Sequence, residues 1–245
     1  MVQQIEKEAT AEVIYPESDG QPMADNTKQF RWIVTIKENL EILFAAQDDV
    51  FIAGDLFWYP VQGNPDIKQA PDALVAFGRP KGDRGSYVQH KENNIAPQVV
   101  FEILSPGNRL KEMAKKLRFY ENYGVEEYYI YDPDRIDLNG WLRCEDKLEV
   151  IEDMSGWVSP RLGIGFELTP TTLEIYNPNG QKFLTPVELH QLREQETQRA
   201  DQEAQRADQE AQQKEVALQQ LEIEQQRYQD LLRRLEERGI DPGEL

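Results

Sequence analysis

Residues 99–106, VVFEILSP, decide how this chain folds. The apolar, β-branched residues of this stretch predict a buried central strand, which the Ser-Pro pair ends. Glu102 interrupts the apolar run, at a place where a charge is costly unless it is paired or bound to a metal ion. The stretch therefore predicts a core strand that also carries a chemical group.

The segment before this strand predicts a helix and more strands. Asp25-Asn26-Thr27 can cap a helix that continues to about Phe44, because apolar residues recur after it at helical spacing. Short aromatic and β-branched runs then predict strands at 50–55, 56–59 and 73–77. A loop at 78–96 follows, and loops of such length in a compact domain are often functional.

The segment after the central strand completes an α/β pattern. Apolar spacing predicts a helix from about Leu110 to Gly124, with Asn108 as its cap. Further strands are predicted at 128–131, around 141, at 148–151 and at 156–158. The order helix, three strands, helix, strand indicates an α/β fold with a mixed sheet.

The C-terminal part predicts a long coiled-coil helix. The sequence RADQEAQ at 199–205 is repeated without change at 206–212, which gives the seven-residue period of a coiled coil. The row of residues that would face a partner helix, here called the seam, recurs in alternating steps of four and three residues. It consists of Ala200, Ala204, Ala207, Ala211, Lys214, Leu218, Leu221, Gln225, Tyr228, Leu232 and Leu235. We expect self-association through residues 195–238, and the alternative is a single solvated helix held by charged pairs.

These patterns divide the chain into an irregular arm at 1–25, an α/β domain at 26–188 and a coiled-coil tail at 189–245. The formal net charge is −18, from 45 acidic and 27 basic residues, which opposes general coating of DNA but leaves room for a local basic groove. The single cysteine, Cys144, excludes an internal disulfide and a cysteine-based zinc site, and its apolar neighbours predict a buried thiol. Without a signal-like start or a membrane-length apolar run, a cytoplasmic protein with no membrane association is expected.

Three residues could form a metal site. Asp72 leads one predicted strand and Glu102 lies within another, and two such carboxylates can hold one Mg²⁺ ion whose remaining positions are filled by water. Lys116 lies on the following helix beside its apolar stripe, so its ammonium group could orient a water molecule and neutralise charge. The alternatives are that Asp72 is a turn residue after Pro71 and that Glu102 forms a buried ion pair, with Lys116 as a candidate partner.

The order of these motifs resembles the Uma2 family of restriction-endonuclease-like proteins, within the PD-(D/E)XK nuclease superfamily. The resemblance covers about residues 50–170 and is carried by DALVA at 72–76, VVFEILSP at 99–106, KLRFY at 116–120, YGVEEY at 123–128 and DP at 132–133. It implies that Asp72, Glu102 and the backbone carbonyl of Ile103 bind the metal ion. The superfamily lysine would lie two residues after Glu102, where this chain has Leu104, and Lys116 matches the position on the next helix where the family carries a lysine.

The resemblance also implies a function. It predicts an endonuclease that depends on Mg²⁺ or Mn²⁺ and cleaves DNA. The basic residues clustered around the acidic pair would draw the DNA to the site, namely Arg79, Lys81, Arg84, Arg109, Lys111 and Lys115. The superfamily often adds an acid from the first helix, for which Glu38 and Glu41 are candidates by location, and Ser105 either starts a turn or belongs to the site. An alternative is a nuclease fold that serves as a binding or regulatory module. It is suggested by the acidic charge of the chain, by Leu104 in place of the superfamily lysine and by the long tail.

Overall fold

The computed structural model describes residues 13–18, 20, 24–107 and 110–237. The first α-helix, α1, covers Thr27–Leu43, α2 covers Leu110–Asn122 and α3 covers Pro186–Glu237. The strands are β1 (Val50–Ala53), β2 (Trp58–Tyr59), β3 (Ala73–Phe77), β4 (Tyr87–Val88), β5 (Val99–Ile103), β6 (Glu127–Asp132), β7 (Asp137–Cys144), β8 (Lys147–Val150), β9 (Gly165–Leu168) and β10 (Leu173–Tyr176).

The main sheet has six strands in the order β1-β3-β5-β6-β7-β8. Strands β5 and β6 pair in parallel, with α2 as the crossover between them, and the other neighbours pair antiparallel. In this sheet the chain follows the order helix, three strands, helix, strand, so the predicted α/β fold with a mixed sheet is confirmed. The predicted strand at 56–59 is reduced to β2, which pairs with β4 outside the main sheet.

Helix α1 begins where the sequence predicts. The side chain of Asn26 accepts hydrogen bonds from the backbone N–H groups of Lys28 and Gln29, which have no partner within the first turn. Ile33, Ile36 and Leu40 recur at helical spacing and are buried against the sheet. This cap and this apolar stripe fix the first turn of α1 beside the end of the central strand.

The sheet separates two apolar clusters, and side chains of β5 alternate between them. Phe101 and Ile103 pack on the α1 side, whereas Val100 packs on the α2 side. Glu102 lies two residues after Val100 and therefore shares the α2 side. Helix α2 is only shallowly buried, since Tyr120 is its one fully buried residue among those described.

Cys144 is exposed, so the predicted buried thiol is wrong. It ends β7 at the tight turn to β8, where Glu145 has a positive φ of 53°. Its apolar neighbours Trp141 and Leu142 belong to the strand interior, and the charged pair Glu145-Asp146 that follows marks the turn.

The chain divides into two units between Pro186 and Val187, and α3 forms all of the described part of the second. Most side chains of α3 are exposed. The described part of α3 ends at Glu237. Among the described helices, none has a stretch that is both long and apolar enough to span a lipid bilayer.

Candidate functional site

Asp72 and Glu102 face each other across two neighbouring strands. The antiparallel register pairs Ala73 of β3 with Phe101 of β5, so one further step along both strands sets Asp72 opposite Glu102. Residues opposite each other in such a pair have Cβ atoms about 5 Å apart. Both carboxylates are buried, with Asp72 8% and Glu102 2% exposed. The structure thus brings the two sequence-predicted acids together.

Asp72 is held by the backbone of the facing strand. Its Oδ2 accepts a hydrogen bond of 2.6 Å from the N–H group of Ile103. Burial, followed by the negative charge of Glu102, raises the pKa of Asp72 from 3.8 to about 8. The nearby Lys116 and the Ile103 hydrogen bond act in the opposite direction and are outweighed. Asp72 is therefore a carboxyl group that a nearby cation would ionise.

Glu102 is held by two side chains of α2. Its Oε2 accepts a hydrogen bond of 2.8 Å from the ammonium group of Lys116, and its Oε1 accepts one of 2.5 Å from the hydroxyl of Tyr120. Lys116 and Tyr120 are one helical turn apart, which is why one helix face can supply both groups. The negative charges of Glu102 and Asp72 raise the pKa of Lys116 although burial lowers it. Lys116 is thus a charged partner of both carboxylates.

Gln29 of α1 is a site residue that the sequence analysis missed. Its Nε2 donates a hydrogen bond of 2.9 Å to the carbonyl oxygen of Ile103, and its proximity slightly lowers the pKa of Asp72. Its Oε1 accepts from the backbone N–H of Asp25, 2.8 Å away, so the amide orientation is fixed. The only signal in the sequence was a polar residue on the first turn of a helix whose next turns are buried. Gln29 reaches the end of β5 because the cap at Asn26 starts the helix there.

Glu38 and Glu41 each have lysine partners in the structure. Glu38 pairs with Lys37, and Glu41 pairs with Lys37 and Lys81. The expectation that one of them supplies a further site acid finds no support in the contacts.

Ser105 and Leu104 end β5 beside the site. Ser105 donates a hydrogen bond to the carboxylate of Asp25, which ties the strand end to the start of α1. Leu104 packs on the α2 side with Met113 and Leu117, and its N–H bonds to the carbonyl of Tyr131. The position that a superfamily lysine would occupy is therefore apolar, and the cation of the site comes from α2 instead.

One buried hydroxyl near the carboxylates has no partner among the described residues. The Tyr128 hydroxyl on β6 is buried and has no hydrogen bond within the described parts of the chain. Burial, and then the charges of Glu102 and Asp72, raise its pKa well above 10. Orphaned buried polar atoms of this kind are usually satisfied by ordered water. The Tyr128 hydroxyl is thus one hydrogen-bond donor that remains available on the α2 side of the sheet.

The basic residues proposed to guide DNA differ in their surroundings. Arg79 and Arg84 both bond to the carboxylate of Glu92, at 2.8 and 2.7 Å, and Arg84 also lies over the ring of Phe51. These two arginines therefore share one acidic partner and hold the loop at 78–96 together. Lys111 and Lys115 are exposed on α2, Lys81 pairs with Glu41, and Arg109 lies outside the described residues.

The oxygen atoms near the site suit a cation that needs few protein ligands. Within the described residues, no group of three or more His, Cys, Asp or Glu side chains is arranged to hold a metal ion. The available set is the carboxylates of Asp72 and Glu102 and the carbonyl of Ile103. Mg²⁺ is bound in proteins by one or two carboxylates with waters in its other positions, whereas Zn²⁺ needs a fuller set of side chains.

Comparison with protein families identifies the chain. The sequence profile of the Uma2 family, described as "Putative restriction endonuclease", matches residues 11–231. The chain belongs to the Uma2 family. The match includes the arm from residue 11, all of the α/β unit and most of α3, so it reaches well beyond the motifs at 72–133. No curated protein matches the chain.

One solved structure similar to this Uma2 protein is described as a putative nuclease belonging to DUF820 from Anabaena variabilis ATCC 29413. The two chains are 17% identical, with a TM-score of 0.41 over 55% of this chain and 72% of that chain.

Proposed function

We propose that this Uma2 protein is an endonuclease that uses Mg²⁺, or Mn²⁺, to hydrolyse phosphodiester bonds of DNA. The observation that carries the proposal is the buried pair of Asp72 and Glu102, with Lys116 of α2 in an ion pair with Glu102. Two buried carboxylates held this close favour the binding of a further cation, because burial and then the negative charge of Glu102 raise the pKa of Asp72 even with Lys116 nearby. The membership of a restriction-endonuclease-like family supports the same reaction class.

The residues fit a bound divalent cation. Asp72, Glu102 and the Ile103 carbonyl would hold it, and such an ion would polarise the phosphodiester and lower the pKa of a bound water molecule. Gln29 fixes the Ile103 carbonyl, and the Ile103 N–H fixes Asp72, so the ligand atoms are oriented before any ion arrives.

The side chains of α2 have separate roles in this proposal. Tyr120 holds one oxygen of Glu102 and leaves the other to Lys116. Lys116 then keeps a positive charge at the place where negative charge develops as the phosphodiester is attacked, and it can orient the attacking water molecule. Lys116 of α2 thus supplies the positive charge that a superfamily lysine would supply from the position of Leu104.

Cleavage of supercoiled plasmid tests this proposal. We expect nicking or linearisation that requires Mg²⁺ or Mn²⁺, stops with chelator, and falls about a hundredfold or more in Glu102→Ala. Glu149→Ala is the matched control, because Glu149 is an exposed acid on β8 and should leave the rate unchanged. Cleavage that survives in a folded Glu102→Ala protein would remove this site from the proposal.

One observation favours a second function, a binding or regulatory module on a nuclease fold. Both oxygens of Glu102 are already bonded, to Lys116 and Tyr120, and so the site is partly satisfied without a metal ion. The strongly acidic chain and the apolar Leu104 agree with that alternative. In this case the carboxylates would stabilise the fold and would take no part in hydrolysis.

Metal-dependent stability separates the two functions. If the site binds Mg²⁺ or Mn²⁺, the free energy of unfolding should rise with ion concentration, by about 2.7 kcal/mol at a hundred times the dissociation constant. The rise should be absent in Glu102→Ala and intact in Glu149→Ala, measured by urea unfolding with and without the ion. If neither ion changes the free energy of unfolding of the unaltered protein, the binding module is favoured.

A further inference from the structure

The seam of α3 is flanked by acids on both sides. In the heptad register, Ala204, Ala211, Leu218, Gln225 and Leu232 take position a, and the other seam residues take position d. Positions e and g lie beside the seam and meet the partner helix. Between residues 200 and 235, every charged residue at these positions is acidic, namely Asp201, Glu203, Asp208, Glu210, Glu215, Glu222 and Glu224.

These flanking acids oppose pairing of two copies of the helix. In a parallel pair, a g residue meets the e residue five positions later on the other chain, so Glu203 would meet Asp208 and Glu210 would meet Glu215. In an antiparallel pair, g residues meet g residues and e residues meet e residues, which again brings acids together. Like charges that face each other in this way disfavour the pairing of two copies of α3.

The seam is nevertheless an exposed apolar surface. Leu218, Leu221 and Tyr228 are 62%, 51% and 63% exposed. The described ion pairs of α3 are His190 with Glu194 and Asp230 with Arg233, and neither involves any of the seven flanking acids. The basic residues Arg199, Arg206 and Arg227 lie at position c, away from the seam. The described part of the helix thus presents an apolar stripe between two rows of negative charge.

We propose that α3 is a docking surface for a basic amphipathic helix of another protein, which carries an apolar seam flanked by Lys or Arg. Such a partner buries the same leucine stripe and converts each repulsive flanking contact into an attractive one. Lys214 lies in the seam itself and favours a partner with an acidic or polar residue opposite it, which would fix the register. Self-association, the expectation from the heptad repeat alone, is the competing outcome.

Two synthetic helices test the charge argument on the full-length protein. One has the sequence of residues 200–235, and the other has the same seam but Lys in place of each of the seven flanking acids. At about 150 mM salt, fluorescence anisotropy should give binding of the lysine-flanked helix at least about tenfold tighter than binding of the unaltered helix. The affinity should fall as salt rises, because the flanking pairs are exposed.

Matched variants of the protein locate the surface. Leu221→Ala combined with Leu232→Ala should weaken binding of the lysine-flanked helix at least about tenfold. Val216→Ala combined with Ile223→Ala removes apolar groups from position f, on the opposite side of α3, and should change binding less than about twofold.

Light scattering of the protein alone completes the test. We expect a mass at about 150 mM salt that does not change with the Leu221 and Leu232 substitutions. A larger particle that these substitutions reduce would mean that copies of α3 pair with each other, and this would overturn the proposal. Equal binding of the two synthetic helices would overturn it as well.

Discussion

Asp72→Asn is expected to abolish metal-dependent DNA cleavage and, in the metal-free protein, to increase stability at neutral to alkaline pH. The pKa of Asp72 rises from 3.8 to about 8 on folding, because the group is buried beside Glu102. As pH rises above 3.8 the unfolded chain ionises first, so the folded state loses stability through this window up to about pH 8. The amide introduced by Asp72→Asn cannot ionise, and its carbonyl oxygen can still accept the Ile103 hydrogen bond.

Urea unfolding in chelator at about pH 5 and about pH 8 measures this effect. The stability advantage of Asp72→Asn should be larger at the higher pH, while its cleavage rate should fall about a hundredfold or more. Asp146→Asn removes an exposed acid in the β7–β8 turn and should alter neither quantity. An Asp72→Asn protein that is less stable than the unaltered protein at about pH 8 would contradict the buried carboxylate pair.

Lys116→Met is expected to have the opposite effect on stability and the same effect on cleavage. It leaves Glu102, whose side chain is 2% exposed, without its cationic partner. Breaking a buried ion pair from one side costs about 3 kcal/mol or more. Cleavage should fall about a hundredfold, because the positive charge at the site is lost. Chemical unfolding and plasmid cleavage measure the two effects in one preparation.

Lys147→Met is the control for this change, since Lys147 is an exposed lysine on β8 and is not among the residues proposed to guide DNA. Adding Glu102→Gln to Lys116→Met should restore most of the lost stability, because the neutral amide needs no cation and can still accept the Tyr120 hydrogen bond. Cleavage should stay lost in the double variant. Failure of this rescue would mean that packing of the lysine stem, and not its charge, stabilises α2.

Sequence reasoning predicted the carboxylates because their signals are local. Glu102 is a charge within an apolar strand, Asp72 immediately precedes another strand, and their strands are neighbours in the sheet. Lys116 could be placed beside them from helical spacing and the apolar stripe of α2, and the ion pair with Glu102 lies where that spacing puts it. The roles of these residues with Mg²⁺ remain predictions.

Gln29, Tyr120 and Tyr128 were harder to predict as site residues. Gln29 is uncharged, and its contact with Ile103 joins residues that are 74 positions apart. Such a contact depends on where α1 begins relative to the end of β5, which sequence spacing does not specify. Tyr120 and Tyr128 follow the same apolar patterns as core residues, so their hydroxyl groups gave no separate signal. The apolar neighbours of Cys144 predicted a buried thiol, but Cys144 lies at the end of β7 beside a tight turn, where its side chain is exposed.

The shallow burial of α2 has a consequence for how the site opens. Glu102 belongs to the central strand β5 and Asp72 immediately precedes β3, whereas Lys116 and Tyr120 belong to a helix with one fully buried residue among those described. Segments with few buried contacts unfold locally at lower free energy than sheet cores. Amide protons of α2 should therefore exchange with solvent well before those of β5, so that the positive half of the site can detach while the negative half stays in place.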